Sequence, residues 1–167
     1  MAIVQTTDFT GQYKIPKTCY TELSTYFPKY EKQYLVRLLG AELYDLFIAD
    51  LTAGPGQVPQ TQRFIDLFDP FQTDEDHCVI CSEGIKKMLI QFIYFEYMRE
   101  SRYGQTVSGA VQVKSSVADV LPFKGWNLER SYNEGVGNYH AIQWYICDND
   151  DVYPEENTQR IEYIAHL

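Results

Sequence analysis

The stretch that most constrains this chain is residues 82–101, SEGIKKMLIQFIYFEYMRES. Ile85, Met88/Leu89, Phe92/Ile93 and Glu96 recur at the spacing of one helix face, while Ile90, Tyr94, Phe95, Tyr97 and Met98 cover the others. A helix apolar nearly all round is buried on several sides. The rest of the chain must therefore wrap this rod, or leave part of it to a neighbouring subunit. Ser82 is the predicted N-cap, with Glu83 favourable in the first turn. Glu96 and Glu100, one turn apart, are out of keeping with such a helix. An ionised Glu is not left unpaired inside a core, so Glu96 is expected to meet Arg99, Arg102 or a lysine of a neighbouring helix.

Around that rod the pattern predicts a mainly α protein, a small helical bundle in one domain spanning residues 1–167. Residues 1–17 read as an extended or flexible N-terminal arm, and residues 18–147 as the helical core. YLVRLLG and AELYDLFIADL carry helical spacing on either side of Gly40, which predicts either a sharp turn or one kinked rod. A break is expected before Pro28. TAGPGQVPQ is a loop, TQRFIDLF a short helix ended by Pro70, and QTDEDH an acidic loop running up to a helix entry near Cys78. The last helix, predicted from Leu128 to Ile146 with Asn127 as N-cap, contains Gly135 and Gly137. Each costs about 1 kcal/mol relative to Ala, and close backbone packing on the central helix is the expected compensation. Residues 148–167 form an acidic tail ending in RIEYIAHL, read as a strand or a docking peptide.

Between the last two helices the period changes. In residues 104–117 Val107, Val111, Val113 and Val117 fall at odd positions among small and polar residues, the alternation of a half-buried strand. Gly104 and Gly109 mark bends or close approach. A short β-hairpin or extended loop is predicted here. An isolated hairpin is marginal alone, so a pairing partner is expected, on an adjacent subunit, a neighbouring assembly or the RIEYIAHL tail. The candidate interface residues are Gln105, Thr106, Val107, Val111, Val113 and Lys114, with Tyr94 and Tyr97 on the preceding helix. The alternative is a plain surface loop.

Catalytic chemistry finds little to stand on. HCVIC offers His77, Cys78 and Cys81, short of the four ligands of a structural zinc site unless Cys19 and Cys147 converge; buried free thiols are the expected state. His140 lies in a helical pattern and His166 one residue from the end. No nucleophile elbow, P-loop, dinucleotide fingerprint or Glu-x-x-His pair is present. The acidic runs 69–76 and 148–156 lack calcium-loop spacing. The chain is therefore expected to be no enzyme and to bind no metal or cofactor, a thiol or metal enzyme built on HCVIC being the remote alternative. With 14 Lys+Arg against 23 Asp+Glu and a net charge of −9, it is a poor reader of nucleic acid, which requires clustered cations. No apolar run reaches the length of a membrane span, and no secretory leader is evident, so a protein of a reducing cytoplasm is expected. Its 14 Tyr suit half-buried rims and interfaces alike.

Taken in order, YLVRLLGAELYDLF, a Gly/Pro loop, FIYFEYMRESRYGQTVSGAVQVKSS and LERSYNEGVGNYHAIQWYI resemble the head–tail connector (adaptor) proteins of tailed bacteriophages. More narrowly, they resemble a connector-like virion family of phages and prophages of gut Bacteroides-type bacteria. The resemblance spans about residues 14–147. It implies a structural protein of the virion neck, assembled in the host cytoplasm as a homo-oligomeric ring, a dodecamer. That ring would join the portal protein to the next tail component and continue the channel through which the genomic DNA passes. An acidic wall suits such a conduit, since it repels phosphates. Another phage tail-completion or assembly protein is the alternative within the same class.

Overall fold

The computed structural model describes residues 2–53, 57–75, 78–101, 103–106, 109–112 and 126–155. Among these, five α-helices and two β-hairpins follow a winding N-terminal segment: α1 (Tyr20–Ser24), α2 (Phe27–Ala53), α3 (Gln62–Phe68), β1 (Phe71–Glu75), β2 (Cys78–Ser82), α4 (Gly84–Glu100), β3 (Tyr103–Thr106), β4 (Gly109–Gln112) and α5 (Trp126–Asp148). The protein is mainly helical, built around α4, with a two-stranded hairpin inserted before the last helix, as the periodicity predicts.

The central rod is buried as its composition demands. Ile85, Met88, Leu89, Phe92 and Ile93 are all in the core, and so are Ile90 and Tyr97 from its other faces. The N-cap position falls on Glu83 rather than on the predicted Ser82, although Ser82 Oγ, one residue earlier, accepts the Gly84 N–H at 3.1 Å. The Glu83 N–H is taken by Asn138 Oδ1 of α5 at 2.8 Å. Gly84 itself has φ +83, and a Cβ there would lie 2.2 Å from the Phe68 carbonyl oxygen. Only glycine fits where the end of α3 crosses the start of α4.

Helix α5 packs along α4 through one glycine and one polar chain. At Gly135 a Cβ would sit 3.1 Å from the Phe92 ring, so this glycine admits the close packing its sequence position predicts. Gly137 faces open space, and the same explanation does not hold for it. Beside Gly135, Ser131 Oγ donates to the Gln91 carbonyl at 2.9 Å, and Asn138 Nδ2 donates to Gln91 Oε1 at 2.8 Å. Gln91 Nε2 donates in turn to Glu83 Oε2 at 3.1 Å. Buried polar groups cost free energy unless paired in this way, so the network fixes the register of α5 on α4. The predicted cap residue Asn127 lies inside the first turn of α5 instead.

Helix α2 is the kinked rod. Gly40 adopts φ 80, ψ 170 within it, a conformation that interrupts the helical hydrogen-bond ladder. The Tyr139 hydroxyl of α5 donates to the carbonyl of Arg37 at 2.7 Å, just before the kink. The expected break before Pro28 is present too, with α1 ending at Ser24 and α2 beginning at Phe27.

Three regions differ from the sequence reading. Residues 2–15 are a packed part of the core rather than a free arm: Val4, Phe9, Tyr13 and Ile15 are buried. Glu31 of α2, itself buried, accepts the N–H groups of Ile3 at 3.0 Å and Val4 at 2.8 Å. Burial pushes the Glu31 carboxyl above its usual range, and these two donors oppose that rise. Second, where an acidic loop and a helix entry are expected, Phe71–Glu75 and Cys78–Ser82 pair as antiparallel strands, with Phe71 opposite Ser82 and Thr73 opposite Ile80. Phe71 packs on Tyr145 of α5, ring centroids 4.7 Å apart. The insert is thus not the chain's only β structure. Third, the acidic tail begins as part of the fold: Tyr153 is buried, and its hydroxyl donates to the Arg63 carbonyl at 2.6 Å.

The glycines give a sharp test. Gly84→Ala must force both a left-handed backbone and a backbone clash, and should destabilise the fold by about 2 kcal/mol or more. Gly137→Ala, in open space on a helix, should be neutral or stabilising by up to about 1 kcal/mol. Urea unfolding followed by circular dichroism measures both. Equal losses at the two sites would contradict this packing.

Candidate interaction surface

The insert is an antiparallel hairpin, Tyr103 opposite Gln112 and Thr106 opposite Gly109. Gln105 and Thr106 lie on β3 and Val111 on β4. Val107, Val113 and Lys114 fall outside the described residues. The two hairpins form separate two-stranded sheets, and among the described residues no third strand extends either. They also lie at opposite ends of α4, since β2 leads into it and β3 follows it. Seventeen residues of helix hold the two ends about 25 Å apart.

The end of α4 from which the insert leaves is bolted to α2 by a ladder of tyrosines and carboxylates. Tyr26, Tyr30 and Tyr34 follow one another at four-residue intervals, as do Glu96 and Glu100, so each set lines one helix face. The Tyr34 hydroxyl donates to Glu96 Oε1 at 2.8 Å, and the Tyr30 hydroxyl donates to Glu100 Oε1. Arg99 pairs with the other Glu96 oxygen, one of the partners its sequence context predicts, and Lys29 lies 3.9 Å from Glu100. The rings stack as well. Tyr34 lies on Phe92 with centroids 4.1 Å apart and planes 3° from parallel. Tyr26 meets Tyr97 edge-on at 5.4 Å.

Electrostatics follow this geometry. The Tyr30 hydroxyl, then Tyr26, Lys29 and Arg99, hold the Glu100 carboxyl below its usual range against partial burial. Burial, and then the Glu100 charge, push the Tyr26 phenol from 10.0 up to about 12. Burial and the neighbouring carboxylates also raise Tyr30 and Tyr34. A second such pair stands beside the middle of α4, where Tyr13, in contact with Gln91 and Tyr94, donates to Glu134. Tyr13 is pushed up to about 12, by burial first and by Glu134 second.

Among the candidate interface residues, Tyr97 is a core side chain of its own subunit, 5% exposed, and Tyr94 is half-buried, packed edge-on against Tyr13 at 5.5 Å. The tyrosine ladder escaped the sequence reading, although its four-residue spacing was visible on both helices. What the spacing could not show is that the two faces meet.

The HCVIC segment lies on the other hairpin. Cys81 is exposed rather than buried, and Cys19 and Cys147 are half-buried. Positions 78 and 81 are separated by three residues of extended strand, about 10 Å of rise. Among the described residues no three His, Cys, Asp or Glu side chains gather to hold a metal ion. His140 is exposed on α5, while His77 and His166 fall outside the described residues. No described helix is long and apolar enough to cross a membrane. Compared with protein-family models, curated proteins and solved structures, the chain matches none.

The ladder sets a pH signature. A tyrosine raised on folding contributes stability that is fully present below its unfolded value and lost as pH rises through its folded value. For Tyr26 that window runs from 10.0 to about 12. Tyrosinate absorbance and loss of helical dichroism should therefore rise together across it. Ionisation of all tyrosines near pH 10 with helices intact would contradict the ladder. Tyr34→Phe, which strips one donor from buried Glu96, should cost about 1–3 kcal/mol.

Proposed function

We propose that this chain is a non-enzymatic assembly subunit, a head–tail connector component that forms a ring beneath a phage portal and presents the β3–β4 hairpin to a neighbouring molecule. The observation that carries the reading is a two-stranded hairpin, with no third strand among the described residues, standing at the end of a helix braced by buried tyrosine–carboxylate pairs. A hairpin of this size is marginal by itself. A partner strand added to an exposed edge supplies the missing main-chain hydrogen bonds. A heterologous contact of this kind, repeated with closure, makes a ring. The sequence resemblance to connector proteins supplies the class of assembly, with the portal and the next tail component as partners and the virion neck as location. The acid excess suits a channel wall that passes DNA without gripping it.

Deleting residues 106–114 tests the role of the insert. The helical dichroism and melting of the deletion protein should match the parent, because α2, α4 and α5 pack without the hairpin. Assembly on isolated portal, followed by electron microscopy, should be lost. Rings that form normally from the deletion protein would reduce the insert to a surface loop.

A further inference from the structure

The kink at Gly40 divides α2 into two halves, and a groove of about 270 Å³ is lined by both. Leu35 on the first half and Tyr44, Ile48 and Leu51 on the second form its apolar walls, with Ile3 of the N-terminal segment. Two charged residues line it as well: Glu31, only 4% exposed, and Lys32, which is exposed. We propose that this groove is a binding site for a small primary alkylamine, its ammonium on Glu31 and its hydrocarbon stem along Leu35, Tyr44, Ile48 and Leu51.

The carboxylate selects the head group. Glu31 Oε2 accepts the Ile3 N–H at 3.0 Å and Oε1 accepts the Val4 N–H at 2.8 Å. Acceptance at both oxygens is the behaviour of an ionised carboxylate, which offers about four acceptor sites. The two N–H groups fill two of them. A buried charge is costly without an opposite charge beside it, and among the described residues no lysine, arginine or histidine pairs with Glu31. Burial is the strongest influence on its carboxyl and raises it, while the amino terminus is the weakest. The Glu31 charge is felt on the facing half of α2, where, after burial and Asp45, it raises the Tyr44 phenol. An ammonium brings three N–H donors and a positive charge, and an aromatic wall suits a cation too.

The remaining lining selects the stem. Thr52 contributes little polarity, because its hydroxyl donates to the Ala49 carbonyl at 2.9 Å. Each methylene laid on the apolar walls adds to affinity. The volume falls just below that of pockets for drug-sized ligands, which restricts the occupant to a short chain. Lys32 stands in water, where its charge is screened, so it opposes a bound cation far less than buried Glu31 attracts one. This proposal concerns a ligand of the single chain and stands apart from the connector reading.

Titrating the folded, isotope-labelled full-length chain with hexylammonium chloride at neutral pH and constant ionic strength tests it, followed by amide NMR shifts. The Ile3 and Val4 amides should shift saturably, and hexylamine should bind about tenfold or more tighter than hexanol, the scale of one charge-assisted hydrogen bond. Glu31→Gln keeps the shape and one acceptor and should lose the preference for amine over alcohol. If that variant does not fold, the comparison of amine with alcohol on the parent decides alone. Equal binding of the two would make the groove merely apolar. Absence of a saturable shift would mean that the chain's own groups already satisfy Glu31. Tighter binding of Nα-acetyl-lysine amide than of hexylamine would give the site to a lysine side chain of another protein. Each of these three results overturns the proposal.

Discussion

The fold depends on what happens around one ring, Phe92. It is 2% exposed, stacked on Tyr34 of α2 at 4.1 Å, and approached by α5 through Gly135, where a Cβ would be 3.1 Å away. One side chain of the central helix thus sets the spacing of both its main neighbours. One turn further along the same face, Glu96 receives the Tyr34 hydroxyl. Aromatic stacking and a charge-assisted hydrogen bond therefore share a single tyrosine. Rings in offset contact contribute beyond the area they bury, and a buried carboxylate is tolerated only because its donors are in place. The two interactions reinforce one another, and both fix α2 against the end of α4.

That arrangement explains how a small domain holds an otherwise marginal hairpin. The ladder from Tyr26 to Tyr34 braces the last two turns of α4, and β3 begins within three residues of its end. The N-terminal segment adds a second brace, tied by its backbone to Glu31, the residue that follows Tyr30 in the first half of α2. The tyrosines that suggested intermolecular contact are in good part spent inside the subunit, as Tyr13, Tyr30, Tyr34, Tyr97, Tyr139 and Tyr153 are buried. Under the proposed role, the surface left for neighbours is main-chain edge more than aromatic side chain.

Much of this was legible from periodicity. The central helix, the bend at Gly40, the packing role of Gly135, the pairing of Glu96 with Arg99 and the hairpin before the last helix each have a local signal. Local signals failed where contact, not pattern, decides the structure. FQTDE alternates only faintly, Phe71 and Thr73 half-buried against exposed Gln72 and Asp74, and becomes a strand because CVICS pairs with it. Ile3, Val4, Phe9, Tyr13 and Ile15 follow neither helical nor strand spacing, since two short 3-10 turns, Thr6–Asp8 and Gly11–Tyr13, interrupt the segment. The start of the segment is held by Glu31, which accepts the N–H of Val4 from 27 residues away in sequence. Gly137 gives the opposite lesson: a helix glycine with the same sequence context as Gly135 faces open space.

The proposed role as a ring subunit is tested most directly by the mass of the protein in solution, measured with and without the isolated portal protein of the same genome. The account predicts that portal captures many copies of this chain in one closed, stoichiometric complex, whether or not rings form without it. A protein that stays monomeric under both conditions, with no portal bound, would contradict it.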